Sequence, residues 1–367
     1  MSNFTVSSSP HVTQKNNSTR IIMADVLIAL APVVVASVYF FGYHVLINIV
    51  ACAIGCMGFE MLYGMFVKKA WNKEGFKNSS VWDLSCFVTA VLLALNLPAA
   101  MDVWGMNVYS ASGKILFSFD TILVCLLGSL VAIVLVKQLF GGIGRNFANP
   151  ALTARVFLFI TFSTAFVASQ TIGLGIQAST GATWLSGAKE TNGTVLYNLF
   201  IGNVGSAAVG ETCVIAILLG YIYLSVRRVI DFRVPLMIIG WTAVFALLFD
   251  GLIKSSLTGG KLMENMLAHV LSGGLIFGAV FMATDYATSP NTFKGNCIYC
   301  FGIALITVLI RVFAAYPEGM SFAVLIMNCF VPLIDRFVYP KPFGYVRPEK
   351  SKKVKPVKSN AAKEETK

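Results

Sequence analysis

The sequence has 367 residues, of which 56% are hydrophobic and 12% charged, and its formal net charge is +11. Its mean hydropathy of +0.75 lies outside the range of soluble domains, so the composition excludes an ordinary soluble protein and predicts an integral membrane domain. The positive charge does not indicate nucleic acid, because the basic residues concentrate behind the last apolar segment, where anionic lipid attracts them. The lipid bilayer is therefore the expected environment, and nucleic acid is excluded as a partner.

Ten apolar segments follow one another along the chain. Runs such as VCLLGSLVAIVLV are apolar on every side, which predicts membrane helices rather than the alternating strands of a barrel. The expected fold class is an all-α integral membrane protein with about ten transmembrane helices. In chain order the segments span residues 21–41, 44–67, 82–97, 119–138, 149–168, 211–226, 232–249, 264–284, 296–314 and 319–336.

Two of these segments are interrupted at matching places. The third ends at Pro98, and the eighth contains glycines and ends at Asp285. Broken segments in corresponding positions indicate an internal repeat with a site between the two halves. With five segments on either side of one long loop, the halves would have opposite orientations, which predicts an inverted five-plus-five repeat. The expected divisions are a tail at 1–20, a first membrane half at 21–168, a loop at 169–210, a second membrane half at 211–337 and a basic tail at 338–367.

Lysine and arginine residues set the expected orientation, since short cytoplasmic loops carry an excess of positive charge. Placing the N-terminus in the cytoplasm puts the basic loops at 68–77 and 227–233, Lys137 with Arg145, Lys294 and the C-terminal tail on the cytoplasmic side. The N-terminal tail is polar for too long to be a secretory signal, so the first segment is expected to stay in the mature protein. Both termini are then cytoplasmic, and the loop at 169–210 is extracytoplasmic.

Ionisable side chains inside apolar segments are costly in lipid and usually face a cavity or a partner. Glu60 lies about two turns inside its segment and is a candidate for cation or proton transfer. Asp83 is a second candidate for an ion pathway, with an interfacial or capping role as the alternative because it lies near a segment end. Capping is the simpler interpretation for Asp25, Asp285 and Asp335, which lie near segment ends. Packing is the simpler interpretation for His44 and His269, and Arg311 is assigned no role.

The cysteines fall mostly inside apolar runs, where they behave as small packing residues. Cys297 and Cys300 have the CxxC spacing of metal ligands or of a redox pair. A structural zinc site or a four-cysteine cluster needs further ligands, which one CxxC does not supply. We therefore expect no metal site formed by this chain alone.

The segment LFGGIGRNFANPALTARVFLF at 139–159 interrupts the helical pattern. Glycines, asparagines and Pro150 precede a new helix. Non-helical backbone at membrane depth is tolerated only where it is buried in protein or lines a cavity. Its amides, Asn149 and Arg155 would suit an anionic or heteroaromatic ligand, whereas a plain turn is the alternative.

Three motifs closely resemble the membrane-embedded D subunit of the Rnf electron transport complex. They are NPALTARVFLF within 149–159, ATDYATSPNTFKG at 283–295 and AYPEGMSFAVLIMNCFVPLIDRF at 315–337. That family is related to the B subunit of the sodium-translocating NADH:quinone oxidoreductase, which is similar at NPALTAR and PLID but is a longer chain. The length of this chain and its YPEGMSFAVLIMN motif favour the Rnf side.

The resemblance implies a covalent flavin. Members of this family carry FMN attached through its phosphate to a threonine in an extracytoplasmic loop, added by a flavin transferase that recognises Asp-x-x-Ser/Thr-Gly-Ala-Thr. Thr180, Gly181, Ala182 and Thr183 match the second half of that motif, and Thr183 occupies the acceptor position. Gln177 stands where the family has aspartate.

Two further features of flavin binding are expected near these motifs. Trp184 directly follows the acceptor and would stack on the flavin ring or anchor the loop at the membrane interface. Relatives hold a second, non-covalent flavin, riboflavin or FMN, for which Asn149 and Arg155 are the candidate site.

The implied function is that of a membrane protein that relays electrons between the partner subunits of a complex. The Rnf complex couples electron flow between ferredoxin and NAD to sodium or proton movement across a bacterial or archaeal cell membrane. The chain is then part of an oxidoreductase that acts only within the complex of membrane, iron–sulfur and flavin subunits. Two alternatives stay open, namely the B subunit of the quinone reductase and a flavin-free ten-helix channel or transporter for a small solute.

Overall fold

The structure is a computed structural model of the chain. In the part of the chain that it describes, the regular structure is almost entirely helical, with two small antiparallel sheets that pair β1 (Val108–Tyr109) with β2 (Ile115–Phe117) and β3 (Gln170–Thr171) with β4 (Ser179–Thr180). It describes residues 18–67, 80–111, 115–167, 170–171, 179–180, 193–202, 208–254, 260–314 and 318–338.

Helices account for all ten apolar segments. The first half contains α1 (Thr19–Phe41), α2 (His44–Phe66), a 3₁₀ turn (Ser80–Asp83), α3 (Ser85–Asn96), α4 (Phe119–Leu130) with a π-helical continuation (Val131–Gln138), and α5 (Pro150–Thr161). Two short helices follow, α6 (Ser163–Val167) and α7 (Gly193–Ile201). The second half contains a 3₁₀ turn (Val209–Glu211), α8 (Val214–Val226), α9 (Arg233–Phe245) with a π-helical continuation (Ala246–Lys254), α10 (Gly260–Leu271), α11 (Leu275–Phe281), α12 (Phe293–Phe313) and α13 (Met320–Phe337).

The helix lengths confirm a multi-pass, all-α membrane protein. Among the described residues, six helices are long and apolar enough to cross a bilayer, and the bent pair α10 and α11 is a seventh candidate. The helices α3, α5 and α8 are apolar but shorter. Ten complete crossings and the inverted repeat therefore stay predictions.

Side-chain caps explain where several helices begin. Ser118 accepts a hydrogen bond from the Thr121 amide at the start of α4, and Thr292 accepts one from the Gly295 amide at the start of α12. Asn149 does the same for α5, whose first residue is Pro150. Capping side chains satisfy amides that have no partner inside the helix, and proline fits the first helical position because its nitrogen carries no hydrogen there.

The break between α10 and α11 confirms the predicted interruption of the eighth segment. Gly273 and Gly274 have φ values of 69° and 65°, a region that residues with a Cβ atom rarely adopt. A side chain at Gly273 would collide with the guanidinium of Arg311, and one at Gly274 would collide with the carboxylate of Glu211. The chain therefore needs glycine at both positions, for backbone conformation and for space.

The helices pack in a similar order in each half. In the first half α2 contacts α3 and α4, while α5 contacts α3 and α4. In the second half α9 contacts α11 and α12, while α13 contacts α11 and α12. Across the halves, α1 packs on α8 and α5 packs on α13, and one large apolar core runs through both.

Replacing Gly274 with alanine tests the steric reason for the helix break. We expect the variant to lose about 2 kcal/mol or more of stability, because alanine is strained at positive φ and its Cβ atom meets Glu211. The thermal unfolding midpoint of the detergent-solubilised protein measures this loss. Gly240→Ala on α9 is the control, since its Cβ atom would meet nothing within 4 Å. Equal midpoints for the two variants would contradict the explanation.

Candidate functional site

A cavity opens at the end of the bundle where α1 begins. Its cavity volume is about 160 Å³, and the empty space reaches about 910 Å³ when the open solvent at its mouth is counted. The first half contributes Met23 of α1 and Leu92 of α3, and the second half contributes Leu224 of α8 and Phe281 of α11. A largely apolar space with a few polar groups, placed between two structural halves, is typical of a small-molecule or cofactor site.

Three connections meet at the mouth of this cavity. The turn after α4 contributes Gly144 and Asn146, the turn after α8 contributes Val229, and the turn after α11 contributes Asp285 and Tyr286. The lysine and arginine bias assigns these three connections to one side of the membrane, and the structure brings them together at one end of the bundle. Which side of the membrane that end faces stays a prediction.

The interrupted backbone before α5 borders the cavity, as the sequence predicts. Gly141, Gly142 and Gly144 have φ values of 112°, 95° and 78°, so the turn uses conformations that favour glycine. Asn149 lines the cavity and is held in place by its cap of α5, with its Oδ1 atom 3.1 Å from the Ala151 amide nitrogen. Its Nδ2 atom lies 3.5 Å from the Met282 carbonyl oxygen in the other half.

Asp285 places a carboxyl group at the cavity mouth. The Thr288 hydroxyl donates a hydrogen bond to it at 3.4 Å. Burial raises the pKa of the Asp285 carboxyl, while hydrogen bonds from the Ala287 amide, Thr288 and the Asn146 side chain act in the opposite direction. The hydrogen bonds from Ala287 and Thr288 fit the capping interpretation of Asp285. The hydrogen bond from Asn146 in addition links Asp285, in the second half, to the first half.

Glu60 lies in a buried ion pair beside the cavity. The Lys137 ammonium is 2.9 Å from both carboxylate oxygens of Glu60 and 2.7 Å from the Ser85 hydroxyl oxygen. Gln138 donates a further hydrogen bond to Glu60 at 2.9 Å. Lys137 and Ser85 line the cavity, so this cluster connects α2, α3 and the π-helical end of α4 at its wall.

The sequence indicates Glu60 but not its partner. Lys137 lies at the end of the segment predicted at 119–138, and the structure shows that it is buried in the π-helical continuation of α4. A π-helical turn adds a residue to the helical register, which rotates later side chains away from the face that regular periodicity predicts. Asp83 ends the 3₁₀ turn before α3 and is half-buried.

Arg155 lies in a second buried cluster rather than in the lining of the cavity. Its Nη1 atom donates to the Asn96 side-chain oxygen at 2.6 Å, and its Nη2 atom is 3.0 Å from Oε1 of Glu211. The same Nη2 atom also forms an ion pair with Glu318. The sequence groups Arg155 and Asn149 at one site, whereas in the structure only Asn149 is among the residues that line the cavity.

Arg311 holds the broken helix next to this cluster. Its guanidinium donates to the carbonyl oxygens of His269 at 2.5 Å, Ser272 at 3.0 Å and Gly273 at 2.9 Å. These carbonyls lie at the C-terminal end of α10, where the helix leaves them without amide partners. The sequence indicates Arg311 and His269 singly, but it does not indicate Glu211 and Glu318.

The remaining ionisable candidates bind groups at helix ends. The Arg227 guanidinium lies 3.1 Å from a carboxylate oxygen of Asp25, which also accepts a hydrogen bond from Tyr223. Asn291 donates to Asp335, and His269 lies 3.0 Å from Asp250. The ring of His44 stacks on its neighbour Tyr43. These contacts agree with the capping and packing interpretations.

The CxxC pair packs against α9. The Cys297 sulfur lies 3.8 Å from the Met237 sulfur, and the Cys300 sulfur lies 3.7 Å from the Val234 carbonyl oxygen. Within the described ranges, no group of three or more histidine, cysteine or acidic side chains has the arrangement of a metal site.

The predicted flavin loop falls largely outside the described residues. Thr180 belongs to β4, where its backbone pairs with Gln170. The other positions of the predicted site, which lie beyond what the structure describes, are Gln177, Gly181, Ala182, Thr183 and Trp184.

Comparison with known proteins identifies the family. A model of the NQR2, RnfD, RnfE family matches residues 5–344. The D subunit of the Na⁺-translocating ferredoxin:NAD⁺ oxidoreductase complex of Acetobacterium woodii is 36% identical, and the match covers 96% of this chain and 98% of that one. The D subunit of the proton-translocating ferredoxin:NAD⁺ oxidoreductase complex of Clostridium ljungdahlii is 34% identical over 93% of this chain and 96% of its own length.

The quinone-reductase relatives match over a smaller part of their length. The B subunit of the Na⁺-translocating NADH-quinone reductase of Pseudoalteromonas atlantica is 34% identical, over 82% of this chain and 68% of its own. The match therefore leaves about a third of that protein uncovered, in keeping with the longer chain expected of it. The chain belongs to the NQR2, RnfD, RnfE family, whose members are membrane subunits of ion-translocating oxidoreductase complexes.

Proposed function

We propose that the chain is the D subunit of an Rnf-type ferredoxin:NAD oxidoreductase complex, in which it relays electrons through covalent FMN and takes part in sodium or proton translocation. The observation that carries this proposal is the match to the Acetobacterium D subunit over nearly the whole of both chains. The partial match to the B subunit of the quinone reductase makes that protein the second candidate.

The covalent flavin is proposed at Thr183. A phosphothreonyl bond needs an exposed hydroxyl on a segment that enters a flavin transferase, and Gly181 with Ala182 leaves few atoms to obstruct entry. Thr180 and Trp184 complete the proposed site. Bound FMN supplies the electron transfer, and the protein sets the position and the potential of the flavin.

A denaturing gel tests the covalent attachment. In cells that express the transferase, we expect a fluorescent band for the wild type and none for Thr183→Val, because valine has no hydroxyl to accept the phosphate. Thr171→Val, which lies in β3 outside the motif, is the matched control and is expected to keep its fluorescence. A non-fluorescent wild-type band would overturn the proposal and favour the flavin-free channel.

The second, non-covalent flavin is proposed in the cavity, with Asn149 as a ligand and without Arg155. Hydroxyl and amide groups of the lining match the polar edge of a flavin ring, and the apolar walls match its faces. Among the described lining residues Lys137 is the only cation, and Glu60 already binds its ammonium. Asp285 adds a carboxyl group, so neutral riboflavin fits this cavity better than FMN, whose phosphate would lack a free positive partner.

Filling the cavity mouth tests this location. Thr284 lines the cavity and is half-buried, so Thr284→Trp is expected to lower the acid-released riboflavin about five-fold or more by steric exclusion. The Thr183-linked FMN is expected to stay constant. Chromatography of flavins released from the purified complex measures both.

A lipid-facing substitution is the control for the cavity variant. Ile28→Trp on α1, where the side chain is exposed, is expected to leave the released riboflavin unchanged. Equal riboflavin in Thr284→Trp and Ile28→Trp would exclude the cavity as its site.

The inverted repeat is proposed on the basis of helix packing. The second helix of each half packs on the third and the fourth, and the fifth packs on the same two. The two first helices pack on each other across the halves, and so do the two fifth helices. This pattern of pairs is the one expected when a two-fold axis in the membrane plane relates the halves.

The charge bias supports a cell-membrane location with both termini in the cytoplasm. Among the described residues, the turns after α4, α8 and α11, which the bias assigns to the cytoplasmic side, lie at one end of the bundle and line the cavity there. Ion coupling is part of the proposal, with Glu60 and Asp83 as the positions indicated by sequence. Glu60 is suited to respond to a ligand in the cavity, because its partner Lys137 lines the cavity wall.

A further inference from the structure

Four charged side chains meet between the two halves, away from the cavity lining. Arg155 of α5 belongs to the first half, and Glu211, Glu318 and Arg311 belong to the second. Arg155 binds both carboxylates, and Arg311 lies at the helix break that Glu211 also contacts. The two positive and two negative charges cancel, so the cluster as a whole is neutral. We refer to these four residues as the ion cluster.

Two atoms of the ion cluster are buried without a hydrogen-bond partner among the described residues. They are Oε2 of Glu211 and Nε of Arg311. The Glu211 side chain is only 2% exposed, so solvent does not satisfy this oxygen. An unsatisfied buried carboxylate oxygen is costly, and native proteins fill such positions with water, a proton or a cation.

The surroundings of this oxygen are rich in further oxygen atoms. The carboxylate of Glu318 shares Arg155 with Glu211, and the Ser272 and Gly273 carbonyls, which accept hydrogen bonds from Arg311, lie at the adjacent helix break. In transporters with broken helices, carbonyls at half-helix ends and nearby acidic groups bind the translocated cation. The composition of the ion cluster therefore matches a small monovalent cation.

One face of α3 connects the cavity to the ion cluster. Ser85, Thr89 and Leu92 line the cavity at helical spacing, and Asn96 follows one turn later on the same face. Asn96 accepts the hydrogen bond of Arg155, while its Nδ2 atom lies 4.0 Å from the Met282 sulfur, next to the cavity wall formed by Phe281. The ion cluster thus begins one helical turn beyond the lining of the cavity.

We propose that Glu211 and Glu318 form the binding site of the translocated cation, a proton or a sodium ion, and that Arg155 holds the two carboxylates in place. The proposal rests on the proposed function. Uptake of a cation by a neutral cluster in low dielectric is favoured when negative charge arrives nearby, as when an electron reaches a flavin in the cavity. Among the described residues, the charged groups that act on Glu211 are Arg155, Glu318 and Arg311.

Transport by the complete complex in liposomes tests the site. Reduced ferredoxin and NAD drive the reaction, and uptake of radioactive sodium and acidification of the lumen are each measured per electron transferred. Glu211→Gln and Glu318→Gln are expected to lower the cation-to-electron ratio about five-fold or more, because the amide retains size but loses the charge that binds the cation. Sodium uptake or acidification, whichever falls, identifies the cation.

Two further glutamates provide matched controls. Glu264→Gln, on α10 and outside the ion cluster, is expected to behave as the wild type. Glu60→Gln removes a carboxylate from the other buried ion pair. A lowered ratio in Glu60→Gln with a wild-type ratio in Glu211→Gln and Glu318→Gln would overturn the proposal in favour of the Glu60 cluster.

Aspartate substitutions at the same two positions test the site if a glutamine variant fails to assemble. Glu211→Asp and Glu318→Asp retain the charge and are expected to assemble, with a half-saturating cation concentration raised about three-fold or more. An unchanged concentration dependence in both would overturn the proposed site. Absence of cation uptake by the wild-type complex would contradict the proposed function itself, which distinguishes the two failures.

Discussion

The ion pairs of Arg155 with Glu211 and Glu318 are the interaction on which the packing of the two halves depends. Arginine stays charged in a protein interior, so its burial between helices requires negative partners within hydrogen-bond reach. Both of those partners, Glu211 and Glu318, lie in the second half, while Arg155 itself lies in the first. The glycines at the break between α10 and α11 make room for Glu211 and for Arg311. The broken helix and the ion cluster are therefore parts of one arrangement.

The cavity and the ion cluster lie at two different depths of the same helix bundle. At the end where α1 begins, loops from both halves surround an apolar space whose lysine is already bound to Glu60. One turn of α3 beyond it, Asn96 binds Arg155. An electron on the flavin proposed in the cavity would therefore act across a short distance on a neutral cluster in a poorly screened medium. This proximity gives a physical basis for the coupling that we propose between electron arrival and cation uptake.

Sequence predicts those features of the fold that depend on local pattern. Apolar length predicts the helices, the glycines after Leu271 predict the broken helix, and Asn149 before Pro150 predicts a new helix that begins at a cavity. It does not predict the partners of the buried charges, because Arg155 and Glu318 are 163 positions apart and no periodicity links them. Nor does it predict that Lys137 binds Glu60, because a π-helical turn changes the helical register at the end of α4.

Thermal unfolding of three forms of the purified protein tests the role of Arg155 most directly: the wild type, Arg155→Met, and Arg155→Met combined with Glu211→Gln and Glu318→Gln. Arg155→Met alone is expected to cost about 3–5 kcal/mol, because it removes the guanidinium that binds both buried carboxylates and leaves only Arg311 nearby. The triple variant is predicted to recover most of that loss, since it removes the unpaired charges. An Arg155→Met protein as stable as the wild type, or a triple variant no more stable than Arg155→Met, would contradict the account.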